Sequence, residues 1–566
     1  MDIMKGLFFM YLRKLLSLLL ALNISSFLLS GCTIHNSDKT HNTSTSPPTT
    51  LSYSNEDNIS YEDAKPYNES EIDAIDLNET DSKTNNRSEN MNISIMKNLK
   101  TRGNTNPVIT QDFGADPYAM VYDDTVYLYM TADALEFDKS GEPIENTYSQ
   151  IKTIRVVSTK DMKNFTDHGF INVAGKDGIA KWASNSWAPA ACHKKINGKE
   201  QFFLYFADNG GGIGVLRADS PVGPFEDPLG HGLITRNTTG CSDVLWLFDP
   251  AVLVDDDGTG YIYFGGGVPE GKISNPGTAR VAKLSQDMIS LDSDPVVIDA
   301  PYIFEDSGIH KYNNKYYYSY CTNWNVDDEG TKKYGFTNAE IVTLESSSPT
   351  GPFTYKEVVL ANPGSLCGLY GNNHHCIFSF KDKWYITYHS RALEKKMNIE
   401  HGYRNTNINE FEISEDGSIG KIIQNYEGPD QLLYINPLDV NNSTCVASMT
   451  GANTIPAPEN TLPGKMDLIV NESGGYIEID GVEFASSVSK IYITANVPSG
   501  VNGTIHIRTD FVSGSDIATI DINETTGFSE LSCQIPSENA SKLSGVQFLY
   551  FVFEGEGYCI RDWHFE

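Results

Sequence analysis

This sequence predicts an all-β chain, a five-bladed β-propeller followed by a β-sandwich. Three observations predict it. A hairpin-like block recurs five times across the middle of the chain. A second motif, "ADSPVGPFEDP" from Ala218 and "SSSPTGPFTY" from Ser346, recurs between blocks, with "STKDMKNFTDHG" from Ser158 as a looser copy. Beyond about Leu438 the pattern changes to short strands of alternating polarity. Blocks repeated at this period are single supersecondary units that bury their apolar faces only against their neighbours.

The 566 residues, 11% of them aromatic, suffice for two or three domains and a sizeable core. The net charge of −32 excludes nucleic acid and anionic membrane surfaces as partners, because phosphate binding needs an excess of Lys and Arg. A neutral, hydroxyl-rich ligand is unaffected by that charge.

Residues 1–32 open with a Lys/Arg-bearing front and an apolar run, and end in "LLSGC" at Cys32. This is the layout of a secretory signal. Its end resembles a bacterial lipobox, which makes Cys32 the lipidated first residue of the mature protein. The alternative is a single transmembrane anchor with an incidental cysteine. Both place the body outside the cytoplasm, and the lipobox adds a lipid anchor on the bacterial membrane. Residues 33–100 are rich in Ser, Thr, Asn, Asp and Glu and poor in large apolar side chains. Such a segment buries too little surface to offset ordering entropy and is expected to be a disordered tether.

Residues 101–437 hold the repeats. They are "ADPYAMVYDDTVYLYMTAD" from Ala115, "APAACHKKINGKEQFFLYFAD" from Ala188, "FDPAVLVDDDGTGYIYFGGG" from Phe248, "FEDSGIHKYNNKYYYSYCTN" from Phe304 and "NHHCIFSFKDKWYITYHSR" from Asn373. Each has a strand-like run, a polar turn and a second aromatic strand. The turns centre on Asp123-Asp124, Asn197-Gly198, Asp256-Asp257-Gly258, Asn313-Asn314 and Lys381-Asp382, which is hairpin chemistry. "DDDG" at Asp255 therefore reads as a turn and not as a calcium loop.

In a propeller the innermost strand of each blade lines the axis, so the same place in every repeat points into one funnel. Those places hold Asp116, Asp249, Glu305 and His374. Any one of these acids alone would more often end a strand or cap a turn. Acids at matched places in three repeats point instead to a shared site, where crowding raises pKa values and enables acid/base chemistry near neutral pH. Asp306 is expected on the opposite side of its strand, in a structural role. Of nine cysteines, Cys192, Cys241, Cys321, Cys367 and Cys376 lie among apolar or aromatic residues and read as buried thiols. None forms the C-x-x-C pairing of a zinc site. Cys533 and Cys559 are either a late disulfide or free.

The stretches "FGADPYAMVYDDTVYLYMT", "KWASNSWAPA", "GGIGVLRADSPVGPF", "WLFDPAVLVDDDGTGY", "FEDSGIHKYNNKYYYSY", "GNNHHCIFSF" and "GYRNTNINEF" together resemble glycoside hydrolase family 43, from about Asn106 to Asn436. They look most like its arabinoxylan arabinofuranohydrolases. The resemblance implies removal of arabinofuranose side chains from xylan with inversion. It makes Asp116 the general base, Glu305 the general acid and Asp249 the residue that orients Glu305 and keeps its pKa high. An inverting site needs one carboxylate and one carboxylic acid on opposite faces of the sugar, with room for water between them. The resemblance also places His374 beside an axial, structural calcium ion, and Arg404 at the sugar pocket. Calcium takes mostly oxygen ligands, so one His is a minor ligand. A lone His is more often a satisfied core residue, and Arg404 could simply pair with an acid. Trp187 and Trp246 precede inner strands and are read as pocket wall or rim, where ring faces stack on sugar. Asn373 is read as a hydroxyl partner. Within the same family, β-xylosidase and arabinanase activity stay open; from another class, so does a silent glycan-binding protein. The expected partner is plant cell-wall arabinoxylan or its oligosaccharides, and the expected state is a monomer.

Residues 438–566 carry the runs "YIEIDGVEF", "KIYITANVP", "TIHIRTDF", "GVQFLYFVFEG" and "YCIRDWHFE", which read as a β-sandwich. They resemble carbohydrate-binding module family 6, which implies a jelly roll. Two departures stand out. The usual acidic calcium-binding start is missing near Val440 to Met449, and Ile560 stands where the family's sugar-binding Asn is expected. Phe528 and Tyr476 are candidate sugar platforms, and Trp563 is expected in the core. A packing role and a weakened sugar-binding role both stay open for this domain.

Overall fold

The structure of the chain, a computed structural model, describes residues 94–457 and 464–566. The expected signal segment, the lipidated Cys32 and the tether up to residue 93 lie outside the described residues. No helix among the described residues is long and apolar enough to cross a membrane. Strands dominate, and the longest described helix is the seven-residue Asp328–Tyr334.

Five antiparallel sheets follow one another along the chain, each in simple up-and-down order. The first is β1 (Ala115–Tyr122), β2 (Thr125–Thr131), β3 (Thr153–Thr159) and β4 (Phe165–Asn172). The second is β5 (Trp187–Ile196), β6 (Lys199–Ala207), β7 (Gly212–Ala218) and β8 (Ile234–Thr235). The third is β9 (Ala251–Val254), β10 (Gly260–Phe264), β11 (Arg280–Leu284) and β12 (Val296–Val297). The fourth is β13 (Ile303–Tyr312), β14 (Lys315–Thr322), β15 (Ile341–Ser346) and β16 (Thr354–Leu360), and the fifth is β17 (His375–Phe380), β18 (Lys383–Ser390) and β19 (Asn405–Phe411). The first strand of each sheet packs on the first strand of the next, and β17 packs back on β1. The turn pairs Asp123-Asp124, Asn197-Gly198, Asn313-Asn314 and Lys381-Asp382 all have positive φ at both residues. That conformation matches the right-handed strand twist and favours Asn, Asp and Gly. Asp255 does sit in a turn, where it pairs with Lys311.

One irregularity recurs. In β1, β5 and β13 the register slips by one residue near the strand start, between Ala115 and Tyr118, Trp187 and Ala190, and Glu305 and Gly308. At the slip Asp116, Ala188 and Asp306 are left-handed, with φ of 46°, 39° and 68°; Asp249, just before β9, has φ 49°. A bulge of this kind re-aims a side chain. The residue matching Asp116 and Asp249 in the fourth repeat is therefore Asp306, and Glu305 stands one place earlier than the sequence alignment put it.

The C-terminal part has two facing sheets. One contains β23 (Ala452–Pro456), β24 (Met466–Val470), β31 (Cys559–Phe565), β26 (Lys490–Asn496) and β29 (Ser529–Gln534), in that order, with β20 (Asn441–Asn442) beside β31. The other contains β22 (Ser448–Thr450), β25 (Tyr476–Phe484), β30 (Gly545–Glu554), β27 (Gly503–Thr509) and β28 (Asp516–Ile522). The strict alternation of buried and half-exposed residues along β26 is that of a strand with one face in the core. Trp563 lies in that core, as expected, whereas Tyr476 is fully buried in a separate cluster with Tyr550 and Val552 and offers no sugar platform. Phe528 is covered by the Arg561 guanidinium, 3.6 Å from its ring centre. Cys533 and Cys559 are free thiols. They pair with opposite ends of β26, Cys533 with Ile491 and Cys559 with Asn496, too far apart for a disulfide.

The sandwich is bonded to the first sheet. Strand β21 (Cys445–Val446) extends that sheet beyond β4. Thr454 donates to Asp167, and Asn164 and Asp480 exchange two hydrogen bonds. Asp167 also pairs with the fully buried Arg155. Residues 94–100, read as the end of the tether, lie against the same domain. Ile95 packs with Tyr476, Tyr550 and Val552, Met96 donates to Gly474, and Lys100 is buried with its Nζ on the Thr105 and Pro107 carbonyls. The apolar side chains and the satisfied ammonium outweigh the polar composition that suggested disorder.

Candidate active site

Asp116, Asp249, Glu305, Asp306, His374 and Arg404 meet where the five first strands begin, and all are buried. Asp116 is held by three cationic or imidazole groups. Arg404 Nη1 reaches its Oδ1 at 2.9 Å, His389 Nδ1 lies 3.0 Å from the same oxygen, and His374 Nδ1 lies 3.7 Å from it. Burial alone would raise the Asp116 pKa, but Arg404 and the neighbouring His389 and His374 rings outweigh it and hold the carboxyl far below the usual carboxylate range; His389 Nδ1 also accepts the Asp116 backbone N–H at 3.2 Å. All of these side-chain contacts fall on Oδ1.

Glu305 is the opposite case. Burial is the largest influence and pushes its pKa up to about 8; the Asn373 backbone N–H on Oε1 at 3.1 Å opposes this, while Asp306 and Asp116 add to it. Asp249 accepts the Asp306 backbone N–H on Oδ2 at 2.9 Å and lies 3.7 Å from His374 Nδ1. Burial, then the charges of Glu305 and Asp116, raise its pKa well above the usual range. Glu305 and Asp249 are thus two buried acids whose surroundings favour the protonated form.

Asp306 faces this cluster and not the far side of its strand, because the left-handed bulge turns it back. Its Oδ1 lies 3.3 Å from His374 Nε2, and its Oδ2 takes His375 Nδ1 at 2.5 Å. His375 Nε2 meets Ser319 Oγ at 2.7 Å. The two histidines are therefore both enclosed by polar partners. Burial lowers the His374 pKa despite Asp306 and Asp116, so its ring is neutral near pH 7. Among the described residues no group of three or more His, Cys, Asp or Glu side chains is disposed to hold a metal ion directly. A calcium ion beside His374 would therefore need water for most of its ligands.

The remaining expected residues divide. Arg404 is at the site, and its charge is shared between Asp116 and Asp133. Trp187 is half-buried, donates from Nε1 to the Tyr148 carbonyl at 3.1 Å and meets the Tyr148 ring edge-on. Trp246 is half-buried against Phe248 and Phe304, the residues preceding Asp249 and Glu305. Asn373 is fully buried; its side-chain amide donates to the Ala339 carbonyl at 3.0 Å and its backbone N–H to Glu305, while its Oδ1 has no hydrogen-bond partner among the described residues. Three residues escaped sequence reasoning. Asp133 leaves the end of β2, Tyr148 lies in the loop before β3 with its ring 5.0 Å below the Arg404 guanidinium, and His389 ends β18. Asp133 closes the first repeat and His389 lies in the "YHSR" that closes the fifth, whereas Tyr148 has no counterpart in a repeat.

The model of "Glycosyl hydrolases family 43" matches residues 104–419, and that of "Carbohydrate binding module (family 6)" matches residues 445–566. The arabinoxylan arabinofuranohydrolase of Paenibacillus polymyxa is 45% identical over 470 residues, 81% of this chain and 73% of that protein. The arabinoxylan arabinofuranohydrolase of Bacillus subtilis (strain 168) is 43% identical over 475 residues, 80% of this chain and 90% of that protein. A crystal structure of a Bacillus subtilis family 43 arabinoxylan arabinofuranohydrolase in complex with cellotetraose superposes with a TM-score of 0.77 at 40% identity, covering 83% of this chain and 99% of that one.

Proposed function

Because the chain belongs to glycosyl hydrolase family 43, we propose that it removes α-L-arabinofuranosyl side chains from arabinoxylan by a single inverting displacement. The observation that carries the chemistry is the split between its acids. Asp116 is held ionised by Arg404 and His389, and Glu305 is kept protonated by burial among other carboxyls. In this reading Asp116 takes a proton from water as the water attacks the anomeric carbon. Glu305 gives its proton to the departing xylan oxygen. Asp249 holds the backbone of the Glu305–Asp306 bulge through the Asp306 N–H and so orients the acid. Trp187 and Trp246 wall the entrance, and Arg404 borders the sugar.

The five sheets are read as blades of a five-bladed propeller, supported by the cyclic packing of their first strands. The first 32 residues support an extracellular enzyme held by lipid on Cys32; mass spectrometry of the mature N-terminus with and without globomycin tests this, and an unlipidated terminus cut elsewhere would reject it. We read the enzyme as a monomer with a structural calcium ion beside His374, ligated mostly by water.

A panel of aryl glycosides, xylo-oligosaccharides, arabinan and arabinoxylan, with product analysis, tests the activity. Free arabinose from arabinoxylan is the expected product. Xylose from xylo-oligosaccharides, or oligosaccharides from arabinan, would move the enzyme elsewhere in its family. Binding without release of any sugar would leave a glycan-binding protein, against which the presence of Asp116, Asp249 and Glu305 in one buried cluster argues.

A further inference from the structure

We infer that Asp133 is a positioning residue, which aims Arg404 so that only one of the two Asp116 oxygens is engaged. This rests on the reading of Asp116 as general base. The geometry is specific. Asp133 Oδ1 accepts from Arg404 Nη2 at 2.7 Å, and Oδ2 accepts from Nε at 2.9 Å and from the Arg404 backbone N–H at 3.0 Å. One whole edge of the guanidinium fork is therefore occupied. The Tyr148 ring lies under one face of the fork, 5.0 Å away. What remains to face Asp116 is Nη1, which reaches Oδ1 at 2.9 Å.

An arginine with no second carboxylate would take Asp116 in the bidentate manner that guanidinium and carboxylate geometry favours. Both oxygens would then carry a guanidinium hydrogen bond, which makes each a weaker base toward the proton of water. Asp133 prevents this by claiming the bidentate edge for itself. Its side chain is fully buried and that of Arg404 nearly so, which keeps the fork from re-orienting through solvent. Asp133 follows β2 of the first sheet and Arg404 precedes β19 of the fifth, so the pair also fixes the spacing of the two loops that flank the base.

A double-mutant cycle of Asp133→Asn and Arg404→Met, read as kcat and KM on an aryl α-L-arabinofuranoside, tests this. Asp116→Ala is the control for the underlying reading: wild-type turnover in that variant would reject Asp116 as base, whatever Asp133 does. With the control inactive, Asp133→Asn is expected to lower kcat about 10- to 100-fold while KM changes by less than about threefold. The double variant should match Arg404→Met within about twofold, because Asp133 acts through Arg404. Wild-type kcat in Asp133→Asn, a change in KM alone, or losses that multiply in the double variant would overturn the inference. If Asp133→Asn does not fold, the double variant, which removes both members of the buried Asp133–Arg404 pair, is compared with Arg404→Met directly, since Asp116 has lost its guanidinium in both. Equal kcat then supports the inference, and a further loss refutes it.

Discussion

The proton on Glu305 sets the shape of the pH–rate profile. A carboxyl with a pKa of about 8 is about 97% protonated at pH 6.5, whereas at the ordinary value of 4.5 only about 1% would be. The surroundings of Glu305 are thus worth about a hundredfold in the population of competent acid at that pH. The sign follows from the roles. Glu305 must be protonated, so activity is lost as pH rises through its pKa. Asp116 must be ionised, and because Arg404 and His389 hold it far below the usual range it stays so down to strongly acidic solution. The log of kcat/KM should therefore be flat from about pH 5 to 7 and fall with a slope of about one per pH unit above about 8. Glu305→Gln, assayed on an aryl arabinofuranoside with a good leaving group, should abolish that basic limb, and should lower turnover on polymer by at least about 10²-fold. A limb near pH 4.5 in the wild type, or one near 8 that persists in Glu305→Gln, would refute the assignment of the acid.

Asp116→Ala should lose at least about 10²-fold in turnover with an unchanged melting temperature, and a better leaving group should not restore it; equal rescue of the Asp116 and Glu305 variants would void both roles. Chelation should lower the melting temperature and added calcium should restore it by mass action; a metal-free preparation unchanged in stability and activity would leave His374 a pocket residue alone. Truncation before Leu438 should cause insolubility or a lower melting temperature, because it strips β21 from β4 and leaves the Asn164 and Asp167 partners unmade. Should that truncation instead spare stability and lower only polymer hydrolysis, while the isolated sandwich binds xylan tightly in affinity electrophoresis, the domain is a sugar-binding module and not a stabilising one.

Much of this site was legible because it repeats. "GADP", "FDPA" and "FEDSG" each carry an acid at one strand start, and repetition is visible without knowing any contact. The bulge was not legible. A one-residue slip with a left-handed backbone turns Asp306 toward His374 and shifts the fourth repeat's match, and strand alternation cannot foresee it. Tyr148 sits in a long connection between β2 and β3 with no copy elsewhere, so nothing in the sequence marked it, whereas Asp133 closes the first repeat as Asp208 closes the second, a match that went unused. Asn373 bonds Glu305 through its backbone N–H, a contact that its side-chain polarity could not foretell. In the sandwich, the alternation of β26 and the burial of Trp563 followed from pattern alone, but the burial of Tyr476 depended on Ile95, some 380 residues earlier in the chain.

The central claim is that Asp116 and Glu305 act on opposite faces of an arabinofuranosyl side chain in one displacement. Proton NMR of arabinoxylan hydrolysis, read before the released sugar mutarotates, tests it most directly. The account predicts free arabinose that first appears as the β anomer. Arabinose released first as the α anomer would mean net retention and a covalent intermediate, and would contradict it.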